Sequence, residues 1–221
     1  FFRSIMLTFT GNFSSNFLPT TIGGDVVRLA GAMQLGYDRA ICVASLIADR
    51  LIGLAGMSVA LPLGLVPVFS INSGISQSIA IPALFQKGLD FTKRTFESFS
   101  IWMKKPFALS ASLLATFGNM VFIYFSVYFL LIGIDHYVSY WLVAGLYTLT
   151  YFVTLFPISI NGLGVQELSM TFLLTQLGGL SPSESATVAL LTRLLFIITS
   201  LPGAFFLPSI LATMNEKKMK S

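Results

Sequence analysis

The 221-residue sequence predicts an all-α integral membrane protein, a polytopic helix bundle with two broken or re-entrant helix motifs that form an internal repeat. The first observation is composition: 55% of the residues are hydrophobic, only 10% are charged, and the mean hydropathy is +0.82. A soluble globule of 24.1 kDa does not need so much apolar surface. The second is length, because the uncharged stretch 107–134 exceeds the about 20 residues that cross a bilayer.

The third observation is the segment FPISINGLGVQE at 156–167, which places a proline, an asparagine, two glycines and a carboxylate inside an apolar region. Backbone groups that a break frees in hydrocarbon are costly unless protein or a water-filled cavity satisfies them. The sequence therefore predicts a broken helix that lines a cavity, with the break at Pro157, Asn161, Gly162 and Gly164.

A related segment, FLPTTIGGDVVR at 17–28, contains Pro19, Gly23 and Gly24. At one offset its proline aligns with Pro157 and its second glycine with Gly162. The helix that follows each segment also aligns without a gap, residues 36–51 on residues 179–194. We therefore expect one membrane domain over 1–221 with repeats at about 17–69 and 156–212, an arrangement typical of transporters.

Loop charge predicts the topology. Basic residues concentrate in the linker 86–105 and in the tail at Lys217, Lys218 and Lys220, so both are expected on the cytoplasmic side of a multi-pass cell-membrane protein. The expected full-length or returning helices are 39–69, 107–134, 140–156, 163–177 and 185–212. The serine-rich stretch 70–85 either crosses or does not, which leaves inverted and parallel repeats both open.

Charges in apolar helices are the candidate site. Each costs roughly 2.5 to 3.5 kcal/mol at mid-membrane, so Asp49, Arg50, Glu167 and Arg193 must be paired or hydrated. One alternative is a structural network that joins Glu167 to Arg50 or Arg193. The other is a pair of arginines that binds an anionic group, because guanidinium clamps phosphate bidentately. The candidate substrate-binding residues are Arg50, Arg193, Glu167, Asp49, Asp25 and Arg28.

Local patterns predict helix starts and one ion pair. Ser181 to Glu184 is a capping box with proline at the first helical position, and Asp38 stands at the equivalent place in the first repeat. Glu167 is expected in the first turn of a helix, with Asn161 capping the free amides. Asp25 and Arg28 are three residues apart on one helix face and are expected to pair.

Several function classes lack support in the sequence. Two basic clusters beside apolar spans account for the net charge of +4, so nucleic acid is not an expected partner. The single cysteine, Cys42, and the single histidine, His136, offer neither a disulfide nor a metal cluster. The sequence contains no nucleotide-binding loop and no Ser/His/Asp set, so we expect no cofactor and no enzymatic activity.

The motifs resemble those of a known family. LPTTIGGDVVR at 18–28, SLIADRLIGL at 45–54 and FPISINGLGVQE at 156–167, followed by an LLTRL helix, are similar to the membrane domain of lysylphosphatidylglycerol synthases and related flippase-like proteins. The resemblance implies lipid translocation, and it does not extend to the synthases' soluble aminoacyl-transfer domain. Members usually begin with additional helices, so we expect N-terminal helices before Phe1. They also usually have a full helix where this chain has residues 70–85.

The leading hypothesis is a protein that moves an anionic phospholipid or a lipid-linked sugar between leaflets. Arg50 and Arg193 would hold the phosphate, and Asp49 and Glu167 would balance them or meet a cationic headgroup. The alternative is a non-catalytic scaffold or subunit for a lipid-modifying or glycosyl-transferring enzyme, in which the charges are structural. The expected partners are membrane lipids, together with such an enzyme or further copies of the chain in a homo-oligomer. A small-solute or ion transporter is the third possibility.

Overall fold

A computed structural model describes residues 2–18, 23–71, 106–155 and 159–208 of the chain. Within these ranges the regular structure is helical, and no strand is found there. The helices are α1 (Phe2–Ser15), α2 (Gly23–Gln34), α3 (Arg39–Ile71), α4 (Pro106–Gly133), α5 (Tyr140–Thr154), α6 (Val165–Leu177) and α7 (Pro182–Ser200), and residues 202–208 are helical after a turn at Leu201.

Three of the described helices are long and apolar enough to cross a membrane, judged by length and composition. Their candidate spans are Arg39–Val68, Ser110–Gly133 and Pro182–Ser200. The predicted class, an all-α polytopic membrane protein, is confirmed. Helices α5 and α6 form where the sequence predicts them, but with 15 and 13 residues they are shorter than the about 20 residues of a simple crossing.

The chain divides into two compact units. The first unit comprises Phe1–Ile47, Tyr151–Thr171 and Ala186–Ser221, and the second comprises Ala48–Thr150 and Phe172–Ser185. The first unit therefore contains both segments in which the sequence predicts a break. The second unit contains most of α3 and α5 and all of α4.

In the second unit, α3 and α5 approach closely at two glycines. A Cβ atom on Gly145 would collide with the backbone of Leu63 and Gly64, and one on Gly64 would collide with the Gly145 carbonyl. Small residues allow such backbone contact between membrane helices, where no hydrophobic effect drives association. Helix α4 joins this core through Tyr124, whose hydroxyl lies 2.8 Å from Thr148 Oγ1 on α5.

In the first unit, α1 packs against α2 and against the chain after α7. A Cβ atom on Gly24 would collide with Ser15 Oγ and the Gly11 carbonyl, so the two helix backbones touch there. Farther along, Asn16 Nδ2 donates to Ser200 Oγ at 2.8 Å. A side chain at Gly203 would collide with the Phe9 carbonyl. Segments remote in sequence are thus held together by small residues and one polar bond.

Helix starts follow the predicted local patterns. Asp38 Oδ1 accepts from the amides of Ala40 and Ile41 at 2.9 and 3.1 Å, which caps α3. Helix α7 has the full capping box, in which Glu184 Oε2 accepts from the Ser181 amide at 2.8 Å and the Ser181 hydroxyl accepts from the Glu184 amide at 3.3 Å.

The glycines before these caps also share a conformation, since Gly36 and Gly179 have φ of 90° and 77°. Both positions are equivalent in the predicted register. The repeat as a whole stays a prediction. Several predictions fall on residues outside the described ranges: Pro19, Pro157, residues 72–105 and the tail beyond residue 208. The crossing of 70–85, of which only residues 70 and 71 are described, and the orientation of the basic linker therefore stay predictions.

The glycine crossing of α3 and α5 can be tested against another glycine on α3. Gly64→Ala or Gly145→Ala should lower the thermal unfolding temperature in detergent, because overpacking of this kind costs about 1–3 kcal/mol. The matched control is Gly53→Ala, since a Cβ atom added to Gly53 would meet no neighbouring atom within 4 Å. That variant should gain about 0.5–1 kcal/mol of helix propensity. Equal melting temperatures for Gly64→Ala and Gly53→Ala would contradict the close crossing.

Candidate functional site at a broken helix

The chain leaves the helical conformation between α5 and α6, in the segment where the sequence predicts a break. A single 3-10 turn spans Ile160–Gly162, and Asn161 within it has the left-handed angles φ 47° and ψ 36°. Gly162 and Gly164 follow with φ of 73° and 79°. Glycine adopts this region at little cost and asparagine tolerates it better than most residues, so the sequence suits the turn.

Helix α6 is capped by Glu167. Its Oε2 accepts from the Gly164 amide at 2.7 Å, while the Gly164 carbonyl accepts the first helical bond from Leu168 at 2.9 Å. Gly164 is therefore the capping position, and because it has no side chain, the carboxylate three residues later supplies the cap. The expected cap by Asn161 is wrong: Asn161 lies within the 3-10 turn that precedes α6, and no described residue hydrogen-bonds its side chain.

Arg193 of α7 holds the break. Its Nη1 and Nη2 both donate to the Asn161 carbonyl at 3.3 Å, and Nη1 also donates to Gln166 Oε1 at 3.2 Å. Its Nε lies 3.5 Å from Glu167 Oε1. Only 9% of Arg193 is exposed. One guanidinium thus contacts both the 3-10 turn, at Asn161, and the first helical turn of α6, at Gln166 and Glu167. All of these residues belong to the first unit.

Charge and backbone satisfaction explain this arrangement. A broken helix leaves a carbonyl that hydrocarbon cannot satisfy, and Arg193 supplies two donors to it. The buried guanidinium in turn needs a counter-charge, which Glu167 provides: the two side chains are 10% and 16% exposed. Of the two pairings predicted for Glu167, with Arg50 or with Arg193, the structure contains the one with Arg193.

The other predicted site residues fall into two places. Asp25 and Arg28 form the expected pair at 3.5 Å on α2, in the first unit, and Asp25 is 8% exposed. The stem of Arg28 lies where a side chain on Gly11 would be, so it also packs against α1. Asp49 and Arg50 belong to α3 in the second unit, where Asp49 is exposed and Arg50 is half-buried. Both residues have interaction partners.

The glycines of the first motif differ from those of the second. Gly23 and Gly24 are buried in the first turn of α2 with ordinary helical angles, and Gly24 serves the contact with α1. Gly162, with which Gly24 aligns in sequence, instead supplies a left-handed turn. Glycine is thus required at the two aligned positions for different reasons, a close helix contact at Gly24 and a left-handed backbone at Gly162.

Sequence reasoning missed two members of the site. Gln166 contacts Arg193 although it was not a candidate; its signal is a second polar side chain directly before Glu167, in the first turn of α6. The Asn161 carbonyl is the other. A backbone acceptor has no signature in the sequence, so only the structure reveals it.

The second unit contains an apolar cavity of about 360 Å³ between α3, α4 and α5. Aromatic side chains form much of its wall: Phe117, Tyr124, Phe125, Tyr140 and Trp141. Its lining offers almost no polar surface, so it suits a hydrocarbon ligand rather than a charged one. Among the residues that the structure describes, no three His, Cys, Asp or Glu side chains gather as a metal ion would require.

Comparison with known proteins gives one family. The sequence model of the lysylphosphatidylglycerol synthase TM region matches residues 71–203, which is 133 of the 221 residues and includes the break, Glu167 and Arg193. Neither the curated proteins nor the solved structures yield a match. Because the match covers more than half of the chain, the protein belongs to the family of lysylphosphatidylglycerol synthase transmembrane regions.

Proposed function

We propose that this protein translocates an anionic phospholipid or a lipid-linked intermediate between the leaflets of the cell membrane, without catalytic chemistry of its own. The observation that carries the proposal is a nearly buried guanidinium, Arg193, positioned at a break between two apolar helices. Intramembrane charge at a broken helix is the usual place of a substrate site in membrane transporters.

Two further observations support a lipid as the substrate. The family and the apolar helices indicate a function connected with membrane lipids. The apolar cavity of the second unit has the chemistry that an acyl chain requires. A phospholipid has an anionic headgroup and acyl chains. Arg193 in the first unit has chemistry that suits the former, and the cavity of the second unit has chemistry that suits the latter.

The roles of the remaining charged residues belong to this proposal. Arg193 binds the headgroup phosphate, and Arg50 contributes a second cation, while Asp49 and Glu167 balance them or meet a cationic headgroup. Asp25 and Arg28 are further substrate-binding residues in this proposal. The basic linker 86–105 and the tail lie on the cytoplasmic side, in accordance with the positive-inside rule.

One observation favours a second candidate, a non-catalytic scaffold or subunit for a lipid-modifying or glycosyl-transferring enzyme. Arg193 already has three hydrogen bonds and a counter-ion from its own chain, as a purely structural arginine would. Under this alternative, the purified protein shows no leaflet exchange and copurifies with a stoichiometric enzyme.

Leaflet exchange tests the proposal directly. In proteoliposomes with fluorescent phosphatidylglycerol, the parent protein should make inner-leaflet lipid accessible to an added quencher, and Arg193→Ala should slow exchange at least tenfold. The basis is that removal of one partner of a buried charge pair costs about 2–5 kcal/mol, more than a factor of ten. The control is Arg39→Ala, which removes an exposed arginine at the start of α3. Equal exchange rates for Arg193→Ala and Arg39→Ala would contradict the proposed role of Arg193 in lipid binding.

A conservative variant separates charge from geometry. Arg193→Lys keeps the positive charge but cannot bridge Asn161 and Gln166 with a planar fork. We expect Arg193→Lys to unfold at a temperature between those of the parent and Arg193→Ala, and to exchange lipid more slowly than the parent. Thermal unfolding and exchange should be measured on the same preparations. Full exchange by Arg193→Lys would mean that a point charge alone suffices.

A further inference from the structure

The hydrogen bonds of Arg193 are distributed unevenly around its guanidinium. Nη1 has two acceptors, the Asn161 carbonyl and Gln166 Oε1, and Nη2 shares the Asn161 carbonyl. These bonds occupy the end of the group that faces away from Nε. They come from a backbone atom and a neutral side chain, so they fix the position of the guanidinium and do not neutralise it.

The opposite edge, formed by Nε and Nη2, is not hydrogen-bonded at Nε. The Nε atom is buried and finds no hydrogen-bond acceptor among the described residues. Glu167 Oε1 lies 3.5 Å away, which is an ion pair but longer than the about 2.7–2.9 Å of a charge-assisted hydrogen bond. This Nε–Nη2 edge presents two parallel N–H groups, which can donate to two oxygens of one phosphate or carboxylate.

We propose that the Nε–Nη2 edge of Arg193 is an anion-binding edge, and that Glu167 is its exchangeable internal counter-ion. Without a ligand, Glu167 balances the charge of Arg193 through an ion pair at 3.5 Å. A phosphodiester or other phosphate ligand displaces Oε1 and bonds both nitrogens. This inference rests on the proposed function for the identity of the anion as a lipid headgroup, and it adds how the site is regulated when no lipid is bound.

Two contacts make the exchange possible. Glu167 has a second attachment, because its Oε2 accepts from the Gly164 amide at 2.7 Å, so it can leave Arg193 and still cap α6. Asn161 and Gln166 hold the other end of the guanidinium, so Arg193 stays in place when its counter-ion changes. The ligand takes the place of Oε1 beside the guanidinium, while the Glu167 carboxylate keeps its own negative charge at the Gly164 amide.

A self-supplied counter-ion competes with the ligand. Removal of its charge should therefore strengthen anion binding, which is the opposite of what a carboxylate that contacts a cationic headgroup would do. A purely structural carboxylate would also behave differently, because its removal would lower stability and leave anion affinity unchanged or reduced.

The test measures anion affinity in maltoside micelles, which contain no phosphate. The probes are dihexanoyl-phosphatidylglycerol and inorganic phosphate, each titrated into the full chain. Glu167→Gln should bind the probe roughly 3- to 10-fold more tightly than the parent, in line with loss of a competing partly buried ion pair. The matched control is Glu184→Gln: Glu184 also caps a helix, by accepting from the Ser181 amide, but no arginine pairs with it among the described residues.

A second variant keeps the test decisive if Glu167→Gln does not fold. Gln166→Glu places a second carboxylate at Nη1 and should weaken anion binding, because the guanidinium becomes more fully neutralised. Opposite changes in affinity for the two variants support the inference. Equal affinities for the parent, Glu167→Gln and Glu184→Gln, or a loss of stability with no gain in affinity, would overturn it, as would unchanged binding by Gln166→Glu if that is the variant that folds.

The two probes distinguish the source of the anion. A gain in affinity for the lipid assigns the edge to a headgroup, whereas a gain for inorganic phosphate alone assigns it to a free phosphate and counts against the proposed function. The proposed function fails separately if the parent shows no leaflet exchange while the affinity changes occur. Exchange by the parent without those changes overturns only the counter-ion role of Glu167.

Discussion

A helix that ends inside an apolar region must find hydrogen-bond partners for the backbone it frees, and this constraint governs the site. The Asn161 carbonyl is such a group, and a guanidinium from another helix satisfies it with two donors. The solution brings a charge into an apolar region, which then requires Glu167. Glu167 also caps α6, so backbone satisfaction, charge balance and helix initiation depend on one another at a single place.

This interdependence gives the break two properties. It is defined, because Arg193 bonds both the turn and Gln166. It is also capable of change, because the contact between Glu167 and Arg193 is an ion pair at 3.5 Å rather than a short hydrogen bond. The structural role of Arg193 is therefore compatible with the proposed anion binding, because the two would use different edges of the guanidinium.

The sequence predicts those features that depend on spacing within one helix. Apolar length predicts the three candidate spans, and the interval from Ser181 to Glu184 predicts the capping box, because each pattern is local. Asn161 shows the limit: its residue type suggests a side-chain cap, but it adopts a left-handed conformation and it is its carbonyl that accepts from Arg193. The contact with Arg193 joins residues 32 positions apart, and no rule of periodicity specifies a backbone acceptor at that distance. The alignment of Gly24 with Gly162 shows likewise that a shared residue type does not predict a shared conformation.

Arg193 holds the break in place, and amide hydrogen exchange measures this most directly. Arg193→Met keeps an unbranched side-chain stem and removes every donor, and it can be compared with Arg39→Met in the same detergent. The account predicts faster exchange for the amides of 161–168 in Arg193→Met, with α4 unchanged in both variants. Unchanged exchange over 161–168 in Arg193→Met would contradict it, because the turn would then be stable without the guanidinium.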